Sequence, residues 1–277
     1  MPTRTRSAAA LLLLLIAGLV LALFPPSTAA RSPLSPPPSD APLTTLVTDG
    51  IVNAVARAGN AIYLGGNFTS VGPPTGSFVA LDGTSGARDP SWPTVNGPVF
   101  AVAPDGSGGW YIGGSFTKVG GVARTYLARI KADKTVDPTW TPNANGTVWA
   151  LAVSGTTLYV SGFFTQIGGQ TRNGLAALDA TTGTLLPWNP NANGEVRALA
   201  VSGSTLYVGG IFSAVNGQPR NHLAALDATT GTLLPWNPNA NGEVSALAVS
   251  GSTLYVGGLF TSVGGQTRNR LAAFNTA

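Results

Sequence analysis

The stretch EVRALAVSGSTLYVGGIFSAVNGQPRNHLAALDATTGTLLPWNPNANG, residues 195–242, decides the fold because it recurs along the chain with a 48-residue period. Roughly 40–50 residues is the length of one blade in common β-propeller repeats. We number the copies one to five from their first residues, which are Ile51, Val99, Thr147, Glu195 and Glu243. Three aromatic series keep the step: Tyr63, Tyr111, Tyr159, Tyr207 and Tyr255; Phe68, Phe116, Phe164, Phe212 and Phe260; Trp92, Trp140, Trp188 and Trp236.

Each copy carries the pattern of four short strands. In copy four, short apolar runs separated by Ser, Gly, Asp and Thr predict strands at 196–201, 206–212, 222–226 and 233–236, with a polar loop at 213–221. Four strands in one period is the content of a propeller blade. We therefore predict an all-β fold over residues 43–277, a five-bladed β-propeller of 48-residue, four-stranded blades. A solenoid of the same period is the alternative, although the chain ends lack polar capping repeats.

The two ends of the repeat region complement each other. Copy five stops at Ala277, before a fourth strand, and residues 43–50 (LTTLVTDG) precede copy one. Shifted by four periods, Gly50 falls on Gly242 and Thr44 falls on Trp236. We predict that this N-terminal strand pairs with the last blade, which closes the ring and removes an exposed sheet edge.

The first 42 residues read as export and tether segments. Arg4 and Arg6 precede an apolar run at 8–24, and small residues follow Pro25 and Pro26, so residues 1–30 are predicted to be a signal peptide. A retained membrane anchor is the alternative. Residues 31–42 form a Pro-rich linker. The expected location is secreted or cell-surface, with no membrane contact after signal cleavage.

Composition narrows the chemistry. The chain has no Cys, so it forms no disulfide and no thiolate metal site. Its formal net charge is +4, and the basic residues are scattered, so nucleic acid is not an expected partner. Only 9% of residues are charged and 36 are Gly, which suits short strands and tight turns.

Residues 254–275, LYVGGLFTSVGGQTRNRLAAFN, carry GG-x-F, V-G-G-Q and R-N-x-L-A-A segments in order. They resemble the secreted bacterial propeller repeats known as delta-60 repeats, a family without an assigned activity. The resemblance covers residues 43–277. It implies an exported propeller, often one module of a larger surface protein.

A second, weaker resemblance concerns residues 177–183, ALDATTG, followed by Trp188. They look like the tryptophan-docking motif of quinoprotein propellers, in which Asp and Thr complete a turn and Trp wedges between blades. The resemblance implies buried Trp92, Trp140, Trp188 and Trp236 and turn roles for Asp82, Asp179 and Asp227. The quinone enzymes also have a vicinal cysteine pair, which this chain lacks, so no cofactor is expected.

Catalytic groups are sparse. The one histidine, His222, has no equivalent in other copies and is expected to be an ordinary strand residue. Glu195, Glu243 and Asp49 fall near the predicted central opening, where some five-bladed propellers cleave glycosides with carboxylates. A glycoside-hydrolase-like enzyme is therefore the third reading, behind two readings without catalysis.

Recurring polar residues mark one face of the predicted propeller. The loop between the second and third strands and the loop between blades emerge on the same side, and amide and guanidinium groups can hold sugar hydroxyls or carboxylates. The candidate ligand-binding residues are Arg124, Arg172, Arg220, Arg268, Asn173, Asn221, Asn269, Gln170, Gln218 and Gln266. The alternative is that they build turns and brace the scaffold.

The leading functional reading is an exported, non-enzymatic binding or scaffold module. The second is a lectin with one weak site per blade, in which avidity supplies strength. A glycan or another surface protein are the candidate partners, and the sequence identifies neither.

Overall fold

The computed structural model describes residues 48–71 and 75–276, which contain strands and no helix. The all-β prediction is confirmed. None of the described residues form a helix long and apolar enough to cross a membrane. The predicted signal peptide, the linker and residues 43–47 of the closing strand lie outside the described residues.

Each copy forms one main antiparallel sheet whose strands lie in the order in which they occur along the chain. In copy one, the order is β1 (Ile51–Ala58), β2 (Ala61–Asn67), β3 (Phe78–Asp82) and β4 (Arg88–Asp89). The other copies have three-stranded sheets: β5 (Val99–Pro104), β6 (Trp110–Gly114) and β9 (Leu127–Ile130); β10 (Thr147–Ser154), β11 (Thr157–Phe163) and β14 (Leu175–Asp179); β15 (Glu195–Ser202), β16 (Thr205–Ile211) and β19 (Leu223–Asp227); β20 (Val244–Ser250), β21 (Thr253–Gly258) and β24 (Leu271–Asn275).

The predicted fourth strand is reduced in copies two to four. In copy four a single bridge joins Leu226 to Leu233, and Leu234 donates its N–H to the carbonyl of Ala225. No further bridge within the described residues pairs this outer segment with β19. The prediction of four-stranded blades is therefore wrong for these copies, because their outer segment forms one bridge rather than a strand. The outer segment nevertheless lies next to the third strand, as predicted.

The predicted polar loop is a small hairpin. In copy four β17 (Ala214–Val215) pairs with β18 (Gln218–Pro219) across Asn216 and Gly217. Both turn residues have positive φ, 51° and 70°, as a two-residue type I′ turn requires. The equivalent hairpins are β7 (Lys118–Val119) with β8 (Val122–Ala123), β12 (Gln166–Ile167) with β13 (Gln170–Thr171), and β22 (Ser262–Val263) with β23 (Gln266–Thr267).

Successive sheets pack through a valine that enters a glycine gap. A Cβ added to Gly65 would lie 2.6 Å from Cγ1 of Val99, and one added to Gly209 would lie 2.4 Å from Cγ1 of Val244. Val99, Val148, Val196 and Val244 are all fully buried, although copy three has Ser161 at the glycine position. The missing side chain lets two sheets approach closely, and this contact repeats along the chain.

The tryptophan series forms a second inter-sheet contact. Trp188 is buried, and its Nε1–H donates to the carbonyl of Asp227 in the next copy. The hydroxyl of Tyr159 likewise donates to the carbonyl of Ala228 at 2.7 Å. Trp140 is buried in the same way, while Trp92 and Trp236 are half-buried. The turns they meet are closed by the predicted aspartates, since Asp179 Oδ1 accepts the N–H groups of Thr181 and Thr182.

The first and last sheets expose residues whose equivalents are buried between sheets in the interior copies. Val52 is 37% exposed although its four equivalents are fully buried, and Tyr255 is 37% exposed although its equivalents are at most 8% exposed. Among the described residues, β1 and β20 share no extensive contact. Ring closure through residues 43–50 therefore stays a prediction.

Candidate functional site

The predicted arginines brace the sheets in which they lie. Arg172 follows β13, and its guanidinium donates to the carbonyls of Thr171 at 2.8 Å and Leu186 at 3.0 Å. Leu186 belongs to the outer segment of the same copy. Arg124 and Arg220 make the corresponding bonds, to the carbonyls of Asp137 and Leu234. Arg268 is exposed and donates to the carbonyl of Thr267.

The structure joins some of the predicted amides in pairs. Asn173 Nδ2 donates to Oδ1 of Asn191 at 2.7 Å, and Asn221 Nδ2 donates to Oδ1 of Asn239 at 2.6 Å. Both pairs bridge a hairpin to the segment leading into the next copy. Gln170, Gln218, Gln266 and Asn269 are exposed, and their side chains form no hydrogen bond with the described residues. Ligand binding by the ten candidate residues stays a prediction.

Asp49, one of the three predicted carboxylates, has a structural role. It accepts the N–H groups of Thr69 and Ser70 and the hydroxyl of Thr69, which holds its pKa well below the usual range. Asn193 makes the equivalent contact in copy four, accepting from the N–H groups of Ser213 and Ala214 at 2.9 Å. This position anchors the start of each hairpin.

The other two carboxylates share one arginine. Arg197 Nη1 donates to Glu243 at 2.6 Å, and Arg197 Nε donates to Glu195 at 2.9 Å. The guanidinium therefore stands between the carboxylates, where a glycosidic bond would have to lie for them to act on it. The described residues contain no group of three or more His, Cys, Asp or Glu placed to hold a metal ion.

Sequence reasoning missed a row of side chains on the first strand of each sheet. The register shifts once in every copy, and the bulged residues are Asn53, Phe100, Trp149, Arg197 and Ser245. The rings of Phe100 and Trp149 lie 4.4 Å apart, and Arg197 Cζ lies 5.8 Å from the Trp149 centroid. The Trp149 Nε1–H is buried without a partner among the described residues. The available signal was divergence, because residue type differs in every copy at this position.

A second missed row is apolar and exposed. Phe163, Ile211 and Leu259 are 63%, 41% and 63% exposed at equivalent positions, where copies one and two have Asn67 and Ser115. Phe163 lies opposite Thr147 and Ile211 opposite Glu195, so the row borders the charged cluster. Exposed apolar side chains next to one another commonly mark an interaction surface. We call the two rows together the divergent surface.

A groove of about 340 Å³ lies between copies three and four beside this surface. Its lining includes Phe163, Thr165, Asn173, Asn191 and Asn193. A groove of about 560 Å³ between the same copies is lined by the docking residues Tyr159 and Trp188 together with turn residues. The smaller groove alone combines an exposed aromatic ring with predicted site residues.

Comparisons with known proteins agree with a propeller. A family model described as "Domain of unknown function (DUF5122) beta-propeller" matches residues 104–139, 205–233 and 253–276, in copies two, four and five. The predicted resemblance to a propeller repeat family without an assigned activity is confirmed. No curated protein matches the chain.

Solved structures with a similar fold include a designed protein. The crystal structure of the computationally designed Ika8 protein is similar with a TM-score of 0.51 and 16% sequence identity. The similarity covers 78% of this chain and 60% of the designed one, so the chain spans less than two thirds of that protein's length. At this identity the likeness concerns the fold alone.

Proposed function

We propose that this chain is an exported, non-enzymatic binding module, a five-bladed propeller whose divergent surface holds the ligand. The match to a β-propeller domain of unknown function is consistent with a binding or scaffold role. Long loops and loop-bordering residues on a rigid scaffold are where binding groups concentrate.

The observation that carries the proposal is the contrast between repeated and divergent residues. Repeated polar side chains form hydrogen bonds within the protein. Arg172 donates to backbone carbonyls, and Asn193 accepts from backbone N–H groups of a hairpin. Side chains that differ between copies, such as Phe163 and Trp149, are instead exposed or half-exposed on one region. A contact needed by every sheet is repeated, whereas a ligand requires a particular set of groups.

The same contrast weighs against the two other readings. A lectin with one site per blade would use repeated groups, and three of the four repeated arginines donate to the outer segment of their own copy. A hydrolase would need a free acid and base, and Arg197 bridges Glu195 and Glu243.

The test is cosedimentation of the labelled domain, residues 31–277, with intact cells of the producing organism. We expect the domain to sediment with cells, and we expect the Phe163→Ser/Ile211→Ser/Leu259→Ser variant to bind at least about tenfold less. A Thr181→Ala/Thr229→Ala variant, altered in turns away from the divergent surface, should bind like the wild type.

The same incubations measure catalysis through released reducing ends. We expect no release above the level of a Glu195→Gln/Glu243→Gln variant. Wild-type release that the double variant abolishes would show an enzyme and contradict the proposal. If the triple variant binds cells as well as the wild type does, the ligand site does not lie on the divergent surface. If the wild type does not bind cells, the proposed binding function is contradicted.

A further inference from the structure

We infer that the groove between copies three and four binds a saccharide residue, and that the chain has one such site rather than one in every copy. The inference rests on the proposed function, whose ligand class it specifies. Three features coincide in this groove, and its neighbour between copies four and five has only one of them.

The first feature is an aromatic platform. Phe163 ends β11, lines the groove and is 63% exposed. The apolar C–H face of a sugar ring packs on such a ring, since aromatic side chains combine large contact area with a negative face. The other copies have Asn67, Ser115, Ile211 and Leu259 at this position, so the platform exists once.

The second feature is a pair of linked amides. Asn173 Nδ2 donates to Asn191 Oδ1, and both side chains line the groove. This bond leaves Asn173 Oδ1 as an acceptor and the Asn191 amide as a donor, with no partner among the described residues. Sugar hydroxyls donate and accept hydrogen bonds, so one such pair can engage two neighbouring hydroxyls.

The third feature is a missing side chain. Gly174 lines the groove in the left-handed conformation, with φ of 67°. The equivalent residues Tyr126, His222 and Arg270 hold the same conformation, with φ of 65°, 63° and 67°, and each carries a large side chain. The groove volume of about 340 Å³ is at the lower end of ligand-site volumes, which suits one sugar residue.

The neighbouring position provides a natural negative control. It keeps the amide pair, Asn221 with Asn239 at 2.6 Å, but it has Ile211 in place of the aromatic ring. His222 stands where Gly174 is, with its Nδ1 3.1 Å from the Gly210 carbonyl oxygen. The repeated amides without the ring and the gap should not suffice for binding.

The experiment is a glycan array followed by calorimetric titration of the best-bound oligosaccharide. We expect the wild type to bind one saccharide per chain. Phe163→Ala and Gly174→His should each weaken binding by about tenfold or more, while the Thr181→Ala/Thr229→Ala variant, altered in turns away from the groove, leaves affinity unchanged. Phe163 is exposed, and thermal melting of each variant reports whether the fold is intact.

A transplant tests the site independently of any loss of folding. The Ile211→Phe/His222→Gly variant rebuilds the three features beside copy five, and we expect its stoichiometry to rise to two. A wild type that binds nothing on the array overturns the inference. So does a stoichiometry near five, or full affinity in Phe163→Ala. Cell binding without array binding would refute the saccharide while leaving the binding module standing.

Discussion

At the scale of single residues, repetition separates structural from ligand-facing roles. Arg172 is only 8% exposed, and its guanidinium ties the hairpin to the outer segment of the same copy. Its residue type and its spacing are equally compatible with a ligand-binding group. Sequence alone could not decide between these roles because a donor looks the same whichever acceptor it meets. Phe163 was missed because an apolar residue at a strand end ordinarily points into the core.

The arginine series provides a matched comparison. Arg172→Ala removes two hydrogen bonds to backbone carbonyls, and one of these bonds ties the hairpin to Leu186. We therefore expect the unfolding free energy to fall by about 1–3 kcal/mol. Arg268→Ala, at the equivalent exposed position, should change it by at most about 0.5 kcal/mol. Urea unfolding of both variants measures the difference. Equal losses would contradict the bracing role.

Ser161 allows a stabilising prediction. It occupies the position of the glycine gap in copy three, it is fully buried, and its hydroxyl has no partner among the described residues. An unpaired buried hydroxyl costs about 1–3 kcal/mol, so Ser161→Ala should raise the unfolding free energy by about 1 kcal/mol. A lower melting temperature for this variant would show that the hydroxyl has a partner in solution.

At the scale of elements, the sequence predicts the positions of the first three strands of each sheet, but not the hairpin or the pairing of the outer segment. The predicted strand at 206–212 is Thr205–Ile211, because a bounded apolar run has little choice of register. The polar composition of residues 213–221 predicts a loop, but the Asn216-Gly217 pair is a strong hairpin signal, and the structure has a hairpin there. In copies two to four the outer segment makes a single bridge to the third strand, which its short run of residues did not reveal.

The tryptophan contact is the element-scale feature to test. Trp188 is 4% exposed, lies edge-on to Tyr159 at 5.4 Å and donates to the next copy. Trp188→Ala should cost about 3–5 kcal/mol, as for other large core truncations. The measurement is equilibrium unfolding, with the half-buried Trp236→Ala as a milder comparison. A change within about 0.5 kcal/mol would place the Trp188 ring outside the core.

At the scale of the whole molecule, the open first and last surfaces match each other. Three of the four interior contacts place a valine in a glycine gap, the fourth has Ser161 at the glycine position, and Val52 and Gly257 are the unmatched halves at the two ends. Sequence reasoning reached this complementarity by counting periods. It could not supply the angle between sheets, which decides whether five copies complete a turn.

Because the chain has no cysteine, disulfide trapping tests closure cleanly. Val52→Cys/Gly257→Cys should form an intrachain bond in a monomer that migrates faster without reductant. Gly65→Cys/Val99→Cys is the positive control, since a Cβ at Gly65 would lie 3.1 Å from that of Val99, near the roughly 3.5–4.5 Å span of disulfides. Covalent dimers, or thiols that stay free, would contradict closure within one chain.

The bond from Trp188 to the turn of the next copy has an evolutionary consequence. Copies two and three each supply a donor ring, Trp140 or Trp188, to the turn of the next copy. A gene that gains or loses one whole period therefore creates no unmatched junction inside the protein, whatever the site of recombination within the repeat. Residues 173–210 and 221–258 are nearly identical, as a recent duplication would leave them. The number of copies is thus free to change among descendants, while positions outside the repeated contacts, such as Phe163 and Gly174, are free to differ between copies.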